Sequence, residues 1–461
     1  MKRTSTIYIC QSCGAETSQF FGRCPSCGEW NSIIEEAISP SGLKARKGRS
    51  TLSKISSGSR SETISSIKDT PIDRIKSGYI EFDRVLGGGL VPGSLVLIGG
   101  DPGIGKSTLL LQTATEIALN NSVLYITAEE SASQVQLRWH RLNKVESNLH
   151  ILAETDLELI LDELEKLNPE VAIIDSIQAL HDATISSTPG SITQVRECAA
   201  ALQQVSKKKN IALLIVGHVT KEGMLAGPKV LEHLVDAVMT FEGDRFASHR
   251  LLRAVKNRFG ATNELGVFEM QSTGLVEVTN PSELFLSSEE TSGVATIVAC
   301  EGTRPLAIDI QALINQTTYA SPRRTVTGIG SNRLHQILAV LEKHINLALS
   351  RFDCYLAVAG GLEVDEPAAD LGIAAAIVSS FKNLKIPKNT VLLGEIGLGG
   401  QLRTVGQIPL RLKEAEKLGF KQAVVPSSTG IDKENNELTL EIFEASTISE
   451  AIQIILDLKS Q

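Results

Sequence analysis

Nowhere does the sequence contain the run of about 20 apolar residues that a membrane-spanning helix requires, and its opening residues, Met1-Lys2-Arg3-Thr4-Ser5, do not lead into the apolar core of a signal peptide. A bilayer-spanning helical protein is excluded, and a cytoplasmic location is the expectation. Positive charge is also in deficit. Lys and Arg total 45 against 53 Asp and Glu, giving a formal net charge of −8, so any contact with a polyanion must rely on local basic surface. The cysteines do not form a secreted disulfide framework: there are seven, an odd number, and four fall within the first 27 residues. Internal repeats and coiled-coil heptads are absent too. What remains is an ordinary globular composition, 42% apolar and 21% charged over 461 residues, enough chain for two or three domains with buried cores.

The character of the chain changes along its length. Residues 1–38 hold the cysteine cluster. Residues 39–70 are rich in Ser, Gly, Lys and Arg and poor in large apolar side chains, the composition of a flexible tether. From 71 to 280 short apolar runs alternate with amphipathic segments, the pattern of strands joined by crossover helices in a mainly parallel sheet. Strands are expected over 94–99, 123–127, 171–175, 211–217 and 237–241, followed by 250–256 and 266–271. Helices are expected over 106–119, 133–142, 156–167 and 192–207. A separate α+β domain should occupy 281–461, with strands at 293–300, 307–313, 355–359, 391–396 and 422–425 and helices at 332–343 and 369–381.

Two constellations carry chemistry. Cys10-x2-Cys13 and Cys24-x2-Cys27 present four thiolates in two tight knuckles. Weighed against two disulfides or four free thiols, this spacing favours a structural zinc ion with all four positions filled by sulfur. The second is Gly100-Asp101-Pro102-Gly103-Ile104-Gly105-Lys106-Ser107, followed by Thr108. Glycines let consecutive N–H groups turn inward on phosphates at the start of a helix. Lys106 suits the terminal phosphate oxygens of ATP and Ser107 a Mg2+ ion. Asp175 closes the apolar run 171–174 at a strand's carboxyl end, where a second magnesium ligand belongs. Glu129 is preferred as the group that prepares the attacking water, with Glu130 as the alternative, and His218 is placed to sense the terminal phosphate.

Lys256-Asn257-Arg258-Phe259-Gly260 matches the KNRFG motif of the bacterial DNA repair proteins called RadA (Sms), relatives of the RecA recombinase, and the resemblance extends over essentially the whole chain. It implies an α/β RecA-like ATPase core preceded by a zinc finger and followed by a domain like the proteolytic domain of Lon. Lys256 and Arg258 are then expected to reach the nucleotide of a neighbouring subunit, which implies a filament or a ring, the family pattern being a hexamer. The implied partners are single-stranded and branched DNA, a recombinase and replicative repair proteins. Loops 181–193 and 221–229 match the segments that face DNA in RecA-like proteins. The implied activity is a DNA-dependent ATPase that moves along DNA and promotes branch migration. In the Lon-like domain the serine of Lon's Asp-Gly-Pro-Ser-Ala-Gly is replaced by Ala368 within 365–370, and the counting that leads to Lon's lysine reaches Pro409, with Arg411 and Lys413 nearby. A methyl group cannot attack a carbonyl, so an ATP-dependent protease is the weaker reading and a scaffold or DNA-binding role the stronger, with Arg323, Arg324 and Arg333 as candidate basic surface. An ATP-gated ring without translocation is the other alternative.

Overall fold

The computed structural model describes residues 5–10, 16–17, 19–26, 28, 30, 33–38, 73–142, 148–217, 229–243, 249–427 and 438–458. Cys13, Cys27, the linker 39–70, His218 and positions 221–228 lie outside them. The chain divides into two compact units, Met1–Val278 and Thr279–Gln461.

The first unit opens with β1 (Ser5–Cys10), β2 (Glu16–Thr17) and β3 (Ile33–Ile38), an antiparallel ribbon in the order β2-β1-β3. Its buried apolar cluster among the described residues is only Cys10, Cys24 and Ile33, with Tyr8 against them. That is too little apolar area to stabilise a fold unaided.

After helix α1 (Ile80–Leu86) come β4 (Leu95–Gly100), β5 (Val123–Thr127), β6 (Leu149–Ala153), β7 (Val171–Asp175), β8 (Ala212–Val216) and β9 (Ala237–Glu242). The meander β10 (His249–Asn257), β11 (Leu265–Gln271) and β12 (Gly274–Glu277) completes one sheet, ordered β12-β11-β10-β9-β4-β8-β7-β5-β6. Strands β4 to β9 pair in parallel, and β9 to β12 are antiparallel. Side chains alternate across the sheet. Val96, Ile98, Val123 and Tyr125 join one core with Leu109 and Leu110, while Leu95, Leu97, Leu124 and Ile126 join another with Ile160 and Leu202. Burial on both faces is why these strands read as continuous apolar runs.

The crossover helices are α2 (Lys106–Ile117), α3 (Ala132–Arg141), α4 (Leu157–Leu167) and α5 (Ile192–Lys209), followed by the short α6 (Lys229–Leu234). Their ends are written locally. Ser131 and Gln134 form a capping box, Asp156 and Ser191 cap α4 and α5, and Asn168 and Asn210 end those helices in the left-handed region. Helix α1 and strands β6 and β12 were not expected from the sequence.

The second unit contains β13 (Val294–Glu301), β14 (Arg304–Gln316), β15 (Arg324–Thr327), β16 (Phe352–Val358), β17 (Thr390–Leu392), β18 (Glu395–Ile396), β19 (Leu402–Arg403), β20 (Gln422–Pro426) and β21 (Glu441–Ala445). Seven form a mixed sheet, β15-β16-β14-β13-β17-β20-β21, while β18 and β19 pair separately. Its helices are α7 (Ser331–Ile345), α8 (Asp370–Lys382), α9 (Ile408–Lys417) and α10 (Ile448–Asp457). The single strand expected over 391–396 is in fact two, broken where Gly394 adopts φ 155°. Helices α9 and α10 are additions to the sequence reading.

Candidate nucleotide-binding site

The loop between β4 and α2 leaves the carboxyl end of the central strand and turns on three glycines at φ 149°, 79° and 119°, Gly100, Gly103 and Gly105. A Cβ at Gly100 would lie 2.6 Å from the Phe241 carbonyl oxygen, and one at Gly105 2.7 Å from Met270 Cε. Gly103 meets nothing within 4 Å, so its position faces open space. Ile104 is buried and anchors the loop, and the Arg250 Nε–H donates to its carbonyl at 3.1 Å. Asp101, Pro102 and Gly103 are exposed at the apex, while Ser107 and Thr108 lie half-buried in the first turn of α2.

Lys106 is buried, and its Nζ donates to the Gly100 carbonyl at 2.7 Å and the Asp101 carbonyl at 2.9 Å. Burial lowers its pKa, and the charges of Asp175, Asp101 and Glu129 oppose that shift. The fold thus brings Lys106 within electrostatic reach of both carboxylates singled out in the sequence. Register explains how: Thr127, the last residue of β5, pairs with Asp175, the last of β7, and the Ala128 N–H donates to the Asp175 carbonyl at 2.8 Å. Glu129 therefore emerges beside Asp175, and the Ser176 hydroxyl donates to its carboxylate.

Glu130 turns elsewhere. Arg138 of α3 donates to both its oxygens, one at 2.5 Å, and the Glu130 backbone is tied to the Thr127 hydroxyl. Sequence reasoning missed Tyr125. Fully buried on β5, it donates its hydroxyl to Asp175 Oδ2 at 2.8 Å, and desolvation with the neighbouring Asp175 charge raises its pKa well above the usual value. The signal was a phenol inside an otherwise aliphatic strand, which needs a polar partner when buried.

Lys256 and Arg258 lie at the other end of the same sheet. Arg258 pairs with Asp236 at 3.0 Å, and Asp236 accepts from the Leu95 N–H at 3.1 Å, at the first residue of β4, whereas the glycine loop begins at the last. Five residue steps along a strand span about 16 Å, so these cations do not reach their own chain's Lys106. Lys256 Nζ donates to the carbonyls of Glu232 and of Val235, the latter at 2.8 Å, and burial together with Arg258 lowers its pKa. Arg74 fixes the segment from outside, donating to the carbonyls of Gly87 at 2.5 Å and Phe259 at 2.8 Å. Against loop 181–193 the buried Gln194 side chain, in the first turn of α5, accepts from the Asp182 N–H at 2.9 Å and donates to the Asp182 and Ser187 carbonyls at 3.2 and 3.0 Å. That loop is folded around a glutamine of the helix that follows it.

Comparison with known proteins fits this geometry. A family model described as an AAA domain matches residues 61–224, one described as a rubredoxin metal binding domain matches 8–35, and one described as subunit ChlI of Mg-chelatase matches 339–429. The DNA repair protein RadA of Synechocystis is 55% identical over 460 residues, covering 94% of this chain and 91% of that protein. RadA of Bacillus subtilis is 47% identical over 461 residues, covering 99% and 100%. The chain belongs to the RadA family of DNA repair proteins. A solved KaiC-like protein of Pyrococcus horikoshii aligns with 45% of the chain at 19% identity and a TM-score of 0.38, covering all of that protein; at this level the likeness adds nothing to the assignment.

In this RadA-family chain the metal binding model spans all four ribbon cysteines. Cys10 and Cys24 are buried side by side in the ribbon's small core. The Gly28 N–H donates to the Cys24 carbonyl at 2.9 Å with Gly28 at φ 77°, a tight turn of the kind a thiolate knuckle needs. These residues fit a metal held by thiolates. Burial pushes the thiol of the buried Cys198 up to about 12, and those of the buried Cys354 and half-buried Cys300 up to about 11.

The Lon-like region settles which cation stands near Ala368. Lys413 is exposed on α9. Arg411 is buried on that helix, and donates to Glu366, two residues before Ala368, through both terminal nitrogens at 2.7 and 2.6 Å. A guanidinium does not deprotonate, so the buried cation is no general base. Of the candidate surface arginines, Arg333 is engaged with the buried Asp370, and Arg324 donates to the Leu349 carbonyl at 2.8 Å. Arg323 stacks 3.7 Å over the half-exposed Tyr319 ring.

Proposed function

We propose that this protein is a DNA-dependent ATPase that uses ATP and Mg2+ to move along single-stranded or branched DNA and promote branch migration during recombinational repair. The observation that carries the reading is the convergence of Lys106, Glu129 and Asp175 at the carboxyl end of the parallel sheet, in a chain of the RadA family. A magnesium ion held there would supply positive charge that offsets the charge of the phosphates. Lys106 would leave the loop carbonyls for the terminal phosphate, with the backbone of 100–105 and the start of α2 around it, and Ser107 and Asp175 would hold the metal. Glu129, positioned by Ser176, would accept a proton from the attacking water. We assign residues 1–38 to a zinc finger, 39–70 to a linker, 71–280 to the ATPase and 281–461 to a Lon-like domain without protease chemistry.

ATP turnover and branch migration, each with and without single-stranded DNA, test the proposal in the parent and in Lys106→Ala. The parent should hydrolyse ATP faster with DNA and move branches, and the variant should do neither while keeping its fold. Turnover surviving in Lys106→Ala would remove the phosphate site. Turnover indifferent to DNA would reduce the protein to an ATP-gated scaffold.

A further inference from the structure

Helix α3 is lightly seated. Of its ten residues only Val135 is buried, while Trp139 packs partly against the core and donates its Nε1–H to the Thr115 hydroxyl of α2 at 3.2 Å. Yet the same helix sends Arg138 back to the turn that leaves β5. The side chain is 17% exposed, and its Nη2 donates to both carboxylate oxygens of Glu130, one at 2.5 Å. Its Nη1 is buried and finds no hydrogen-bond partner among the described residues, which costs stability. The Glu130 side chain is 37% exposed, and a pair so open to solvent contributes little to stability in return. Folding alone does not account for a guanidinium placed there.

What the pair holds is the turn that carries Glu129. The Thr127 hydroxyl, at the end of β5, donates to the Glu130 carbonyl at 2.8 Å and accepts from the Glu130 N–H at 3.2 Å, and the Ala128 N–H is fixed to the Asp175 carbonyl. Glu129 stands between these two fastenings, its carboxylate on the Ser176 hydroxyl. Arg138 adds a third and ties the turn to a helix that the core holds weakly. The same guanidinium lies close enough to Tyr125 for its charge to work against the raised pKa of that phenol, which in turn holds Asp175. One cation stands behind both carboxylates of the site. We propose that Arg138 is a positioning residue for ATP hydrolysis, aiming Glu129 at the attacking water by locking the 127–130 turn through Glu130. It acts on the rate through Glu129, so nucleotide affinity does not depend on it. This assignment rests on the ATPase reading above, with Glu129 as its base.

Arg138→Met keeps the aliphatic stem and removes the guanidinium. Single-turnover hydrolysis in the full-length variant should fall about tenfold, because a small displacement of a catalytic group is costly in rate, while ATP affinity stays within about twofold of the parent's. Arg138→Lys, a point charge without the planar fork, should recover part of the loss. In a Glu129→Gln background Arg138→Met should change the rate less than about twofold, since its effect passes through a group already lost. A role in folding alone would lower the rate by the same factor in either background. Parental turnover in Arg138→Met, or the full loss repeated on top of Glu129→Gln, overturns the proposal. If Arg138→Met does not fold, the same comparison made with Arg138→Lys decides. A parent that hydrolyses no ATP, or Lys106→Ala as active as the parent, strikes the ATPase reading itself; both rates stay as expected when only the role of Arg138 is wrong.

Discussion

A carboxylate serves a metal only while it is held in the right orientation, and here the Tyr125 hydroxyl holds Asp175 at 2.8 Å from within the core. Removing that hydroxyl deletes one buried hydrogen bond, a loss of about 1 kcal/mol. Tyr125→Phe should therefore raise the Mg2+ concentration giving half-maximal ATPase about fivefold, with turnover at saturating Mg2+ nearly unchanged. Mg2+ titrations at fixed ATP check it, and an unchanged magnesium requirement would make the tyrosine mere packing. The two adjacent glutamates show what the sequence alone could not decide. Both follow β5, and only the folded chain shows that Arg138 engages Glu130 while Glu129 faces Ser176 and Lys106. Glu129→Gln should cut hydrolysis about a hundredfold or more, as loss of a general base does, with nucleotide binding kept. Single-turnover hydrolysis and nucleotide affinity, compared with Glu130→Gln, measure the difference; a larger loss of turnover in Glu130→Gln would reverse the assignment.

Among the elements, those buried on both faces were legible because period and apolarity agree. Strands β5 and β7 fall where expected to the residue, and the glycine loop with its flanking strand and helix was read correctly. Illegible were elements whose sequence carries a mixed signal. Strand β6 is a largely exposed edge of its sheet. Helix α9 buries an arginine on its inner face, so Ile408–Lys417 lacks a clean apolar stripe. That arginine closes a pair with Glu366 and also donates to the Val298 carbonyl at 2.6 Å, joining α9, β13 and the segment before Ala368. The side chain of Arg411 is 4% exposed and that of Glu366 24%, so truncating the cation strands a carboxylate in a largely dry site. Arg411→Ala should cost about 3 kcal/mol of stability. Replacing both partners by apolar residues of similar size, Arg411→Met with Glu366→Leu, should recover most of it. Denaturant unfolding of the three proteins checks the pair, and equal stability of Arg411→Ala and the parent would show that it contributes nothing.

For the whole molecule the decisive fact is polarity along the sheet. The glycine loop leaves the carboxyl ends of the parallel strands, and Lys256 and Arg258 sit at the amino end of β4, tied to Asp236 and to the chain after α6. No sequence motif conveys that separation, because it arises from β10 running antiparallel back along β9. If the cations act on a neighbour's nucleotide, each working site takes its loop from one chain and its Lys256 from the next, in a head-to-tail assembly. Lys106→Ala and Lys256→Ala should then both be inactive alone and active together. In a random equal mixture, about a quarter of the junctions pair an intact loop with an intact Lys256, and DNA-stimulated ATPase should recover to a comparable fraction. Recovery should require subunit exchange, so mixing after crosslinking the separate assemblies should restore nothing. A mixture as inactive as its components would mean that Lys256 serves its own chain, through its hold on the carbonyls of Glu232 and Val235, and not the nucleotide next door.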